Sequence, residues 1–408
     1  MTAAPAQSRF RARDPRSAIR VQNIARVISA IAAAVALAPA PAPAQSHNVD
    51  AIAAQLEPEI KRIMLEGKIP SATVALVSRN GVVWTGAYGY SNLYAQTPAT
   101  TNTVYLIGST FKAMSAWALL QQMEAGKFKL DDPVNNYLTE FKIRNETPGK
   151  PVTFRHLLTH VSGLSVAFVP HPLWGETMPP SLSQYLTDSL KVVSAPLDSV
   201  RYSNIAFTLV GYLVEKFSGQ PYKQHMLRSI WMPLSMSSTA FAPTPEMEER
   251  LAIPYVVDQT TGRNVATQRL RANVWPAGIV YGTVLNQANW LIANLNEGVV
   301  RGRPIIAKAT FDEMMKLQYP QHASASADFG GASTGYGLVW RLATRRGERL
   351  FAHSGSVPGY TTLLVGNLDR KIGFAIMTNG NQAHPYLYRL ADRALEIMKA
   401  NTTGARTN

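Results

Sequence analysis

The stretch around which this chain is organised reads Ile107-Gly108-Ser109-Thr110-Phe111-Lys112. An apolar run of helix-forming residues follows it, which predicts that this stretch is the first turn of a helix. Ser109 and Lys112 are three residues apart, so their side chains share one face of that helix. Burial among apolar neighbours favours a neutral lysine, which can accept the proton of a neighbouring hydroxyl. The pair is a candidate nucleophile with its own base, although a capping serine before a surface lysine gives the same pattern.

A second stretch, between helical segments, contains Tyr202 and Asn204. A tyrosine whose pKa is lowered by a nearby lysine can act as a general base. An asparagine two residues later can hydrogen-bond a substrate amide or carbonyl group. Taken alone, an ordinary turn explains this stretch equally well.

A third stretch lies at the end of a predicted strand and contains His353, Gly355 and Ser356. The edge of such a strand can pair with an extended substrate. The backbone N–H of Ser356 can then join that of Ser109 to form an oxyanion hole. The alternative is a strand-end histidine with a purely structural role.

In this order and spacing, the three stretches resemble the motifs of the serine β-lactamase and penicillin-binding-protein superfamily. The resemblance is strongest to the class C-like branch, which includes esterases, D-aminopeptidases and D-alanyl-D-alanine carboxypeptidases. It extends over about residues 49–398, with further similar segments at 152–164, 276–278 and 335–338. The motifs as they stand here are Ser109-x-x-Lys112, Tyr202-x-Asn204 and His353-x-Gly355.

The resemblance implies a serine hydrolase that works through an acyl-serine intermediate, without a metal or another cofactor. Its substrate would be a small molecule or a peptide, bound in a cleft between a mixed α/β domain and an inserted helical domain. The implied roles are acylated nucleophile for Ser109, proton transfer for Lys112 and Tyr202, substrate positioning for Asn204, strand-edge contacts for His353 and Gly355, and an oxyanion N–H from Ser356.

One position departs from the pattern of the β-lactamases, which carry a lysine where this chain has His353. A lysine is a permanent cation near the substrate carboxylate, whereas a histidine with a pKa near ~6.5 is mostly neutral at pH 7.5. We therefore expect esters or D-amino-acid amides to be better substrates than β-lactams. We also expect carboxylate-bearing substrates to improve as the pH falls toward 6.

The order of predicted elements indicates an α+β fold, with strands at both ends of the chain and helices between them. Asn80-Gly81 predicts an early hairpin, and its strands are expected to join the late strands in one antiparallel sheet. Terminal helices are expected to cover the sheet, with Pro58 kinking or splitting the first of them. The expected division is an α/β domain of residues 45–108 and 319–400, a helical domain of residues 109–318 and a disordered tail of residues 401–408.

The N-terminus predicts a secretory signal peptide over residues 1–44 and therefore a periplasmic or secreted protein. Six arginines and one aspartate precede the apolar run at 27–38, which is too short to span a membrane comfortably. Ala42-Pro43-Ala44 fits a small-x-small cleavage site, and an uncleaved N-terminal anchor is the alternative. Removal of the leader lowers the net charge from +14 to +9. No membrane span is then expected.

Other chemistries have weaker support. The basic residues of the remaining chain are scattered, which argues against a nucleic-acid partner, and the absence of cysteine excludes thiolate chemistry and disulfides. His156 and His160 are spaced for one helix face, but no third metal ligand is evident. Residues 331–335 match Gly-x-Ser-x-Gly without the strand and helix that a nucleophile elbow needs. The remaining alternatives are a β-lactamase proper and a non-catalytic, penicillin-binding or sensing envelope protein.

Overall fold

The structure of the chain, a computed structural model, describes Met1 and residues 46–165, 181–270 and 275–403. Residues 47–402 form the larger of two compact units. The predicted signal peptide and residues 404–408 of the predicted tail lie outside the described residues. Both stay predictions, as do the expected domain boundaries. The first residues of the predicted tail are ordered, however, because the Asn401 N–H bonds the Ile397 carbonyl oxygen and the Thr402 hydroxyl bonds that of Met398. Within the described ranges, no helix combines the length and apolarity that crossing a bilayer requires.

Nine strands form one antiparallel sheet in the larger unit, in the spatial order β4-β5-β6-β7-β8-β9-β1-β2-β3 once they are numbered along the chain. The early hairpin therefore joins the late strands, as expected, and Ala75 pairs with Ala375 where the two groups meet. The strands are β1 (Ser71–Ser78), β2 (Gly81–Asn92), β3 (Thr97–Pro98), β4 (Ser324–Ala325), β5 (Ser333–Tyr336), β6 (Arg341–Arg345), β7 (Glu348–Val357), β8 (Tyr360–Asn367) and β9 (Ile372–Thr378).

Helices lie on both faces of this sheet, and most of them come from the middle of the chain. Short paired strands also occur there, which the sequence did not predict, at Tyr105–Leu106 with Tyr281–Gly282, Tyr255–Val257 with Asn264–Ala266, and Val299–Val300 with Arg303–Pro304. The helices are α1 (Val49–Glu66), α2 (Lys112–Glu124), α3 (Phe154–Leu158), α4 (Leu182–Ser189), α5 (Asn204–Ser218), α6 (Tyr222–Met226), α7 (Pro245–Glu248), α8 (Trp275–Gly278), α9 (Val284–Leu295), α10 (Lys308–Met314) and α11 (His384–Ala400).

The core has two layers, because successive residues of a strand face opposite sides of the sheet. On β9, Phe374 faces the terminal helices α1 and α11 and packs in one apolar cluster with Leu387. Its neighbour Ala375 faces the helices from the middle of the chain. There the rings of Trp117 on α2 and Trp290 on α9 lie 4.5 Å apart. Strands β1, β8 and β9 are buried along their whole length, as strands covered on both faces must be.

Helix α1 corrects one expectation, because it runs unbroken through Pro58. Proline has no N–H to donate to the carbonyl group four residues earlier, here that of Ala54. Both residues are exposed, so water can bond this free carbonyl group and the helix is not split. Asn48 begins the helix by accepting a hydrogen bond from the Ala51 N–H.

Candidate active site

Ser109 lies in a tight turn that touches the sheet backbone to backbone. Residues Gly108–Phe111 form one turn of 3-10 helix that leads directly into α2, so Ser109 is at the helix N-terminus, as expected. Gly108 has a φ of 57°, a left-handed conformation that glycine adopts at little cost. A Cβ atom on Gly108 would lie 3.1 Å from backbone atoms of Gly355 and Ser356 on β7. Only a glycine here allows the turn and the strand to approach so closely.

Lys112, the first residue of α2, is fully buried beside Ser109. Burial lowers the pKa of its amine well below the usual range, so the neutral form is favoured. Its Nζ atom lies 2.9 Å from Ser109 Oγ, 2.8 Å from Asn204 Oδ1 and 2.6 Å from the Ala277 carbonyl oxygen. The two carbonyl-type oxygens can only accept, so they take the two N–H groups of the neutral amine. The nitrogen lone pair is left for the hydroxyl of Ser109.

Tyr202 lies immediately before α5, and its half-buried phenol lines the same cleft. The Nζ atom of Lys112 is 4.8 Å from the centre of its ring. Burial raises the pKa of Tyr202, and a hydrogen bond with Ser109 offsets this only in part. The expectation of a lowered pKa was therefore wrong, because a neutral lysine cannot stabilise a phenolate against the loss of water. Tyr202 is present as the phenol.

His353, Gly355 and Ser356 lie within β7 rather than at its end, which corrects the predicted strand boundary. All three pair with β8 on one side of the strand. On the other side, β6 begins at Arg341, opposite Ala352. Among the described residues, the stretch of β7 beyond Ala352 therefore has no strand beside it on that edge. This edge borders the cleft that contains Ser109.

The side chain of His353 is buried and neutral. Burial is the main cause that lowers its pKa to about 3, with a smaller contribution from Lys112. Its Nδ1 lies 2.8 Å from the carbonyl oxygen of Ser354, which can only accept, so Nδ1 carries the proton. The ordinary pKa assumed from the sequence was wrong, because nothing local in the sequence shows how completely the ring is buried. The expected gain in carboxylate binding near pH 6 therefore has no basis in His353.

The cleft is a cavity of about 320 Å³ beside Ser109. Sequence reasoning missed Arg341, which enters the cavity from the strand next to His353. Arg341 is already bonded to Asp328 at 2.6 Å and to Ser326 Oγ at 2.8 Å. The resemblance had marked the segments of Tyr336 and Ala277 without giving either residue a role. The residues that line the cavity are Ser109, Tyr202, Asn204, Tyr336, Arg341, His353, Ser354, Ser356 and His384.

The two histidines considered as metal ligands have other partners. The Nδ1 atom of His156 accepts a hydrogen bond from the Thr153 N–H, and that of His160 accepts one from the Ser203 N–H. Within the described part of the chain, no three acidic or histidine side chains are grouped closely enough to hold a metal ion.

Comparison with known proteins identifies the family. The family model described as Beta-lactamase matches residues 48–399, which is most of the chain. The chain belongs to the beta-lactamase family. This places it in the serine β-lactamase and penicillin-binding-protein superfamily, as the sequence motifs indicated, and the antiparallel sheet with helices on both faces is consistent with the fold of that family.

Individual relatives of this beta-lactamase-family chain carry penicillin-binding names. It is 24% identical over 342 residues to penicillin-binding protein 4* of Bacillus subtilis (strain 168), and the aligned region covers 80% of this chain and 72% of that protein. A solved structure, the octameric penicillin-binding protein homologue from Pyrococcus abyssi, superimposes with a TM-score of 0.71 at 30% identity and covers 84% of this chain and 77% of that one.

The chain is also 23% identical over 339 residues to protein flp of Staphylococcus aureus (strain COL). The match covers 81% of this chain but 64% of flp. The chain thus spans less than two thirds of the length of that relative.

Proposed function

We propose that this beta-lactamase-family protein is a serine hydrolase that cleaves esters or D-amino-acid amides through an acyl-Ser109 intermediate. The observation that carries the proposal is the neutral, buried amine of Lys112, whose Nζ atom lies 2.9 Å from Ser109 Oγ. Two fixed acceptors hold the two N–H groups of this amine, so it is already oriented to take the serine proton before substrate binds.

Acylation begins when Ser109 Oγ attacks the substrate carbonyl carbon and its proton moves to Lys112 Nζ. The carbonyl oxygen becomes an oxyanion, and the backbone N–H groups of Ser109 and Ser356 are the donors assigned to it. When the intermediate collapses, the bond to the leaving group breaks and the leaving group takes a proton. Lys112 loses that proton and returns to the neutral amine.

Tyr202 is the assigned carrier of this proton from Lys112 to the leaving group. Its raised pKa keeps it a phenol, so it passes on its own proton and regains one from Lys112. In deacylation a water molecule attacks the acyl carbon, the same groups accept its proton, and Ser109 leaves with a proton restored to Oγ. Asn204 accepts a hydrogen bond from Lys112 and also lines the cavity in which the substrate would bind.

The charges of the cavity support esters or D-amino-acid amides over β-lactams. His353 is neutral throughout the physiological pH range, so position 353 offers no cation to a substrate carboxylate. Arg341 is the lining side chain with a permanent charge, and Asp328 already pairs with it. An uncharged substrate therefore loses no binding energy in this cavity, whereas an anionic β-lactam lacks the charge-assisted hydrogen bond that a free lysine would supply.

Export completes the proposal, and it rests on the sequence of residues 1–44 alone. A basic leader, an apolar run and a small-x-small site together direct a chain to the bacterial envelope or beyond. The substrates would then be small molecules or peptides of that compartment.

The deciding experiment is a turnover panel with the protein and its Ser109→Ala variant. The panel contains a p-nitrophenyl ester, a D-alanyl-D-alanine peptide and a chromogenic cephalosporin. We expect serine-dependent turnover of the uncharged ester at a higher kcat/KM than that of the cephalosporin, and the peptide, which ends in a carboxylate, should share the disadvantage of the cephalosporin. Preferred turnover of the cephalosporin would instead identify a β-lactamase. A penicillin adduct on Ser109 that persists without turnover of any substrate would identify a penicillin-binding receptor.

A further inference from the structure

His160 makes three contacts with Tyr202 and its two neighbours in the chain. Its backbone carbonyl oxygen accepts a hydrogen bond from the Arg201 N–H at 2.7 Å. Its ring nitrogen Nδ1 accepts another from the Ser203 N–H at 3.2 Å. Its ring lies against the ring of Tyr202, with centres 4.2 Å apart and planes inclined by 31°. One residue thus holds the backbone on both sides of Tyr202 and one face of its side chain.

The state of His160 suits this role. It is fully buried, and burial lowers its pKa well below the usual range, with Lys112 contributing in the same direction. A neutral imidazole has one protonated nitrogen, and Nδ1 must be the unprotonated one because the Ser203 N–H can only donate. The acceptor that holds Ser203 is therefore present in the neutral ring that burial favours.

The backbone of His160 is also unusual. Its φ is 60°, in the left-handed region that residues other than glycine rarely adopt. Conformations of this kind are strained and persist where the surroundings fix them, often beside functional sites. Here the conformation turns the carbonyl group and the ring of the same residue toward one short segment, residues 201–203.

We propose that His160 is the positioning residue of Tyr202, an inference that rests on the proposed function. His160 fixes the phenol hydroxyl against Ser109 and so sets the rate of proton transfer. Tyr202 precedes α5 and lies outside any helix or strand, so regular secondary structure does not hold it. The hydroxyl lies at the far end of the ring, where a small rotation about the backbone moves it furthest. A displacement of about 1 Å in such a group can cost about 100-fold in rate.

Three substitutions separate the contacts of His160. His160→Ala removes the acceptor and the ring. His160→Phe keeps a ring against Tyr202 but leaves the buried Ser203 N–H without an acceptor. His160→Asn tolerates the left-handed backbone and restores an acceptor close to the Nδ1 position, but not the ring.

The measurements are the rate at which a fluorophosphonate labels Ser109, and kcat and KM for a p-nitrophenyl ester. We expect His160→Ala to lower the labelling rate and kcat by about 10- to 100-fold while KM changes by less than about threefold. His160→Phe and His160→Asn should each recover part of the loss. His225→Asn is the matched control, because His225 is also buried with a lowered pKa but does not line the cavity. It should leave both rates within about twofold of the parent.

Two results would overturn the assignment. One is a folded His160→Ala or His160→Asn variant, matched to the parent in thermal midpoint, that is labelled and turns over ester at the parent rate. The other is an equal loss in His225→Asn. Labelling does not depend on the choice of substrate. If a fluorophosphonate labels the parent and its His160 variants at the same rate, the result contradicts the positioning role alone. A parent that no fluorophosphonate labels contradicts the proposed hydrolase and the positioning role together.

Discussion

The Nζ atom of Lys112 lies 2.6 Å from the carbonyl oxygen of Ala277, closer than it lies to the hydroxyl of Ser109. A backbone carbonyl group keeps its place whatever side chain stands at position 277, and it cannot change its protonation state. The orientation of the amine therefore depends on the path of the backbone through α8. Ser115 stabilises the backbone of α8 by donating a hydrogen bond to the neighbouring Pro276 carbonyl oxygen at 2.7 Å.

Lys112→Ala should abolish acylation and leave the fold intact. Without the amine, Ser109 has no base, and loss of general-base catalysis lowers rates by about 10²- to 10⁴-fold. The measurement is the rate of acyl-enzyme formation, with circular dichroism as the check on folding. Lys223→Ala is the matched control, since the pKa of Lys223 is also lowered by burial, yet it lies outside the cavity. If Lys112→Ala acylates at the parent rate, Lys112 has no part in the mechanism.

His353→Lys should shift the substrate preference of the proposed hydrolase toward cephalosporins. In the parent, His353 should contribute no change to the ratio of kcat/KM for a cephalosporin to that for an ester between pH 8 and pH 5, because this histidine gains a proton only near pH 3. A lysine that reaches the cavity would supply a charge-assisted hydrogen bond, roughly twice as strong as a neutral one. A parent that prefers the cephalosporin, or a variant with an unchanged ratio, would show that His353 does not set the preference.

The stability of the protein should fall in mild acid because it buries neutral histidines. The pKa of His353 is lowered to about 3 and that of His156 to about 4, while an unfolded histidine titrates near ~6.5. Below pH 6.5 the unfolded chain binds protons that the folded protein does not, so stability is lost as pH falls toward the folded pKa values. Each histidine contributes a slope of up to about 1.4 kcal/mol per pH unit.

Urea unfolding at pH 7, 6 and 5, for the parent and for His353→Gln, measures this effect. The difference between the two slopes isolates His353 from every other titrating group. A glutamine has no proton to gain, so the variant should lose less stability than the parent between pH 6.5 and pH 5. Identical slopes would mean that His353 is protonated in the folded protein.

Gly108→Ala should impair the nucleophile more than it impairs the fold. Gly108 and Gly126 both have left-handed backbones, with φ of 57° and 75°, so alanine costs about 1–2 kcal/mol of stability at either position. A Cβ atom at Gly126 would enter open space, whereas one at Gly108 would press on the backbone of β7. We expect Ser109 labelling to fall at least about 10-fold in Gly108→Ala and to stay unchanged in Gly126→Ala. Equal labelling in the two variants would show that close approach to β7 is not needed.

Residues 1–44 should be removed on export. N-terminal sequencing of the protein purified from the envelope or the culture medium should give a start near Gln45, just after the Ala42-Pro43-Ala44 site. A chain that retains Met1 in that fraction would contradict cleavage. Such a chain would support the uncleaved anchor instead.

The fold was largely predictable because its signals are local. The Asn80-Gly81 turn, the apolar late strands and the helix formers after Ser109 each indicate structure within a few residues, and the pairing of Ser109 with Lys112 follows from helix geometry. Bringing Asn204 to Lys112, 92 residues away, depended on the resemblance to a known superfamily.

The two errors about protonation, at His353 and Tyr202, have one physical origin, which is burial. From the sequence we expected an ordinary histidine pKa for His353, and therefore a partly charged imidazole, and a phenol pKa for Tyr202 that a nearby lysine lowers. The folded chain removes water from both groups. Desolvation lowers the pKa of His353, with Lys112 adding to the shift, and raises the pKa of Tyr202 in spite of its hydrogen bond with Ser109. Arg341 was missed because it belongs to no motif, and the Ala277 carbonyl group was missed because the resemblance marked its segment without assigning it a role. One reaches the cavity from an adjacent strand and the other acts through its backbone.

Burying Lys112 also ties the folding equilibrium to the proton concentration. At neutral pH the unfolded chain holds a proton on this lysine that the native protein must release, so each molecule that folds sheds that proton into the solvent. Because the native pKa is lowered, this contribution to stability grows as the pH rises and is complete only above about 10.5, where the unfolded lysine is neutral too. Alkaline solutions thus favour the native chain through the same amine to which the proposed function assigns the proton of Ser109, whereas acid both weakens the fold and favours the protonated amine.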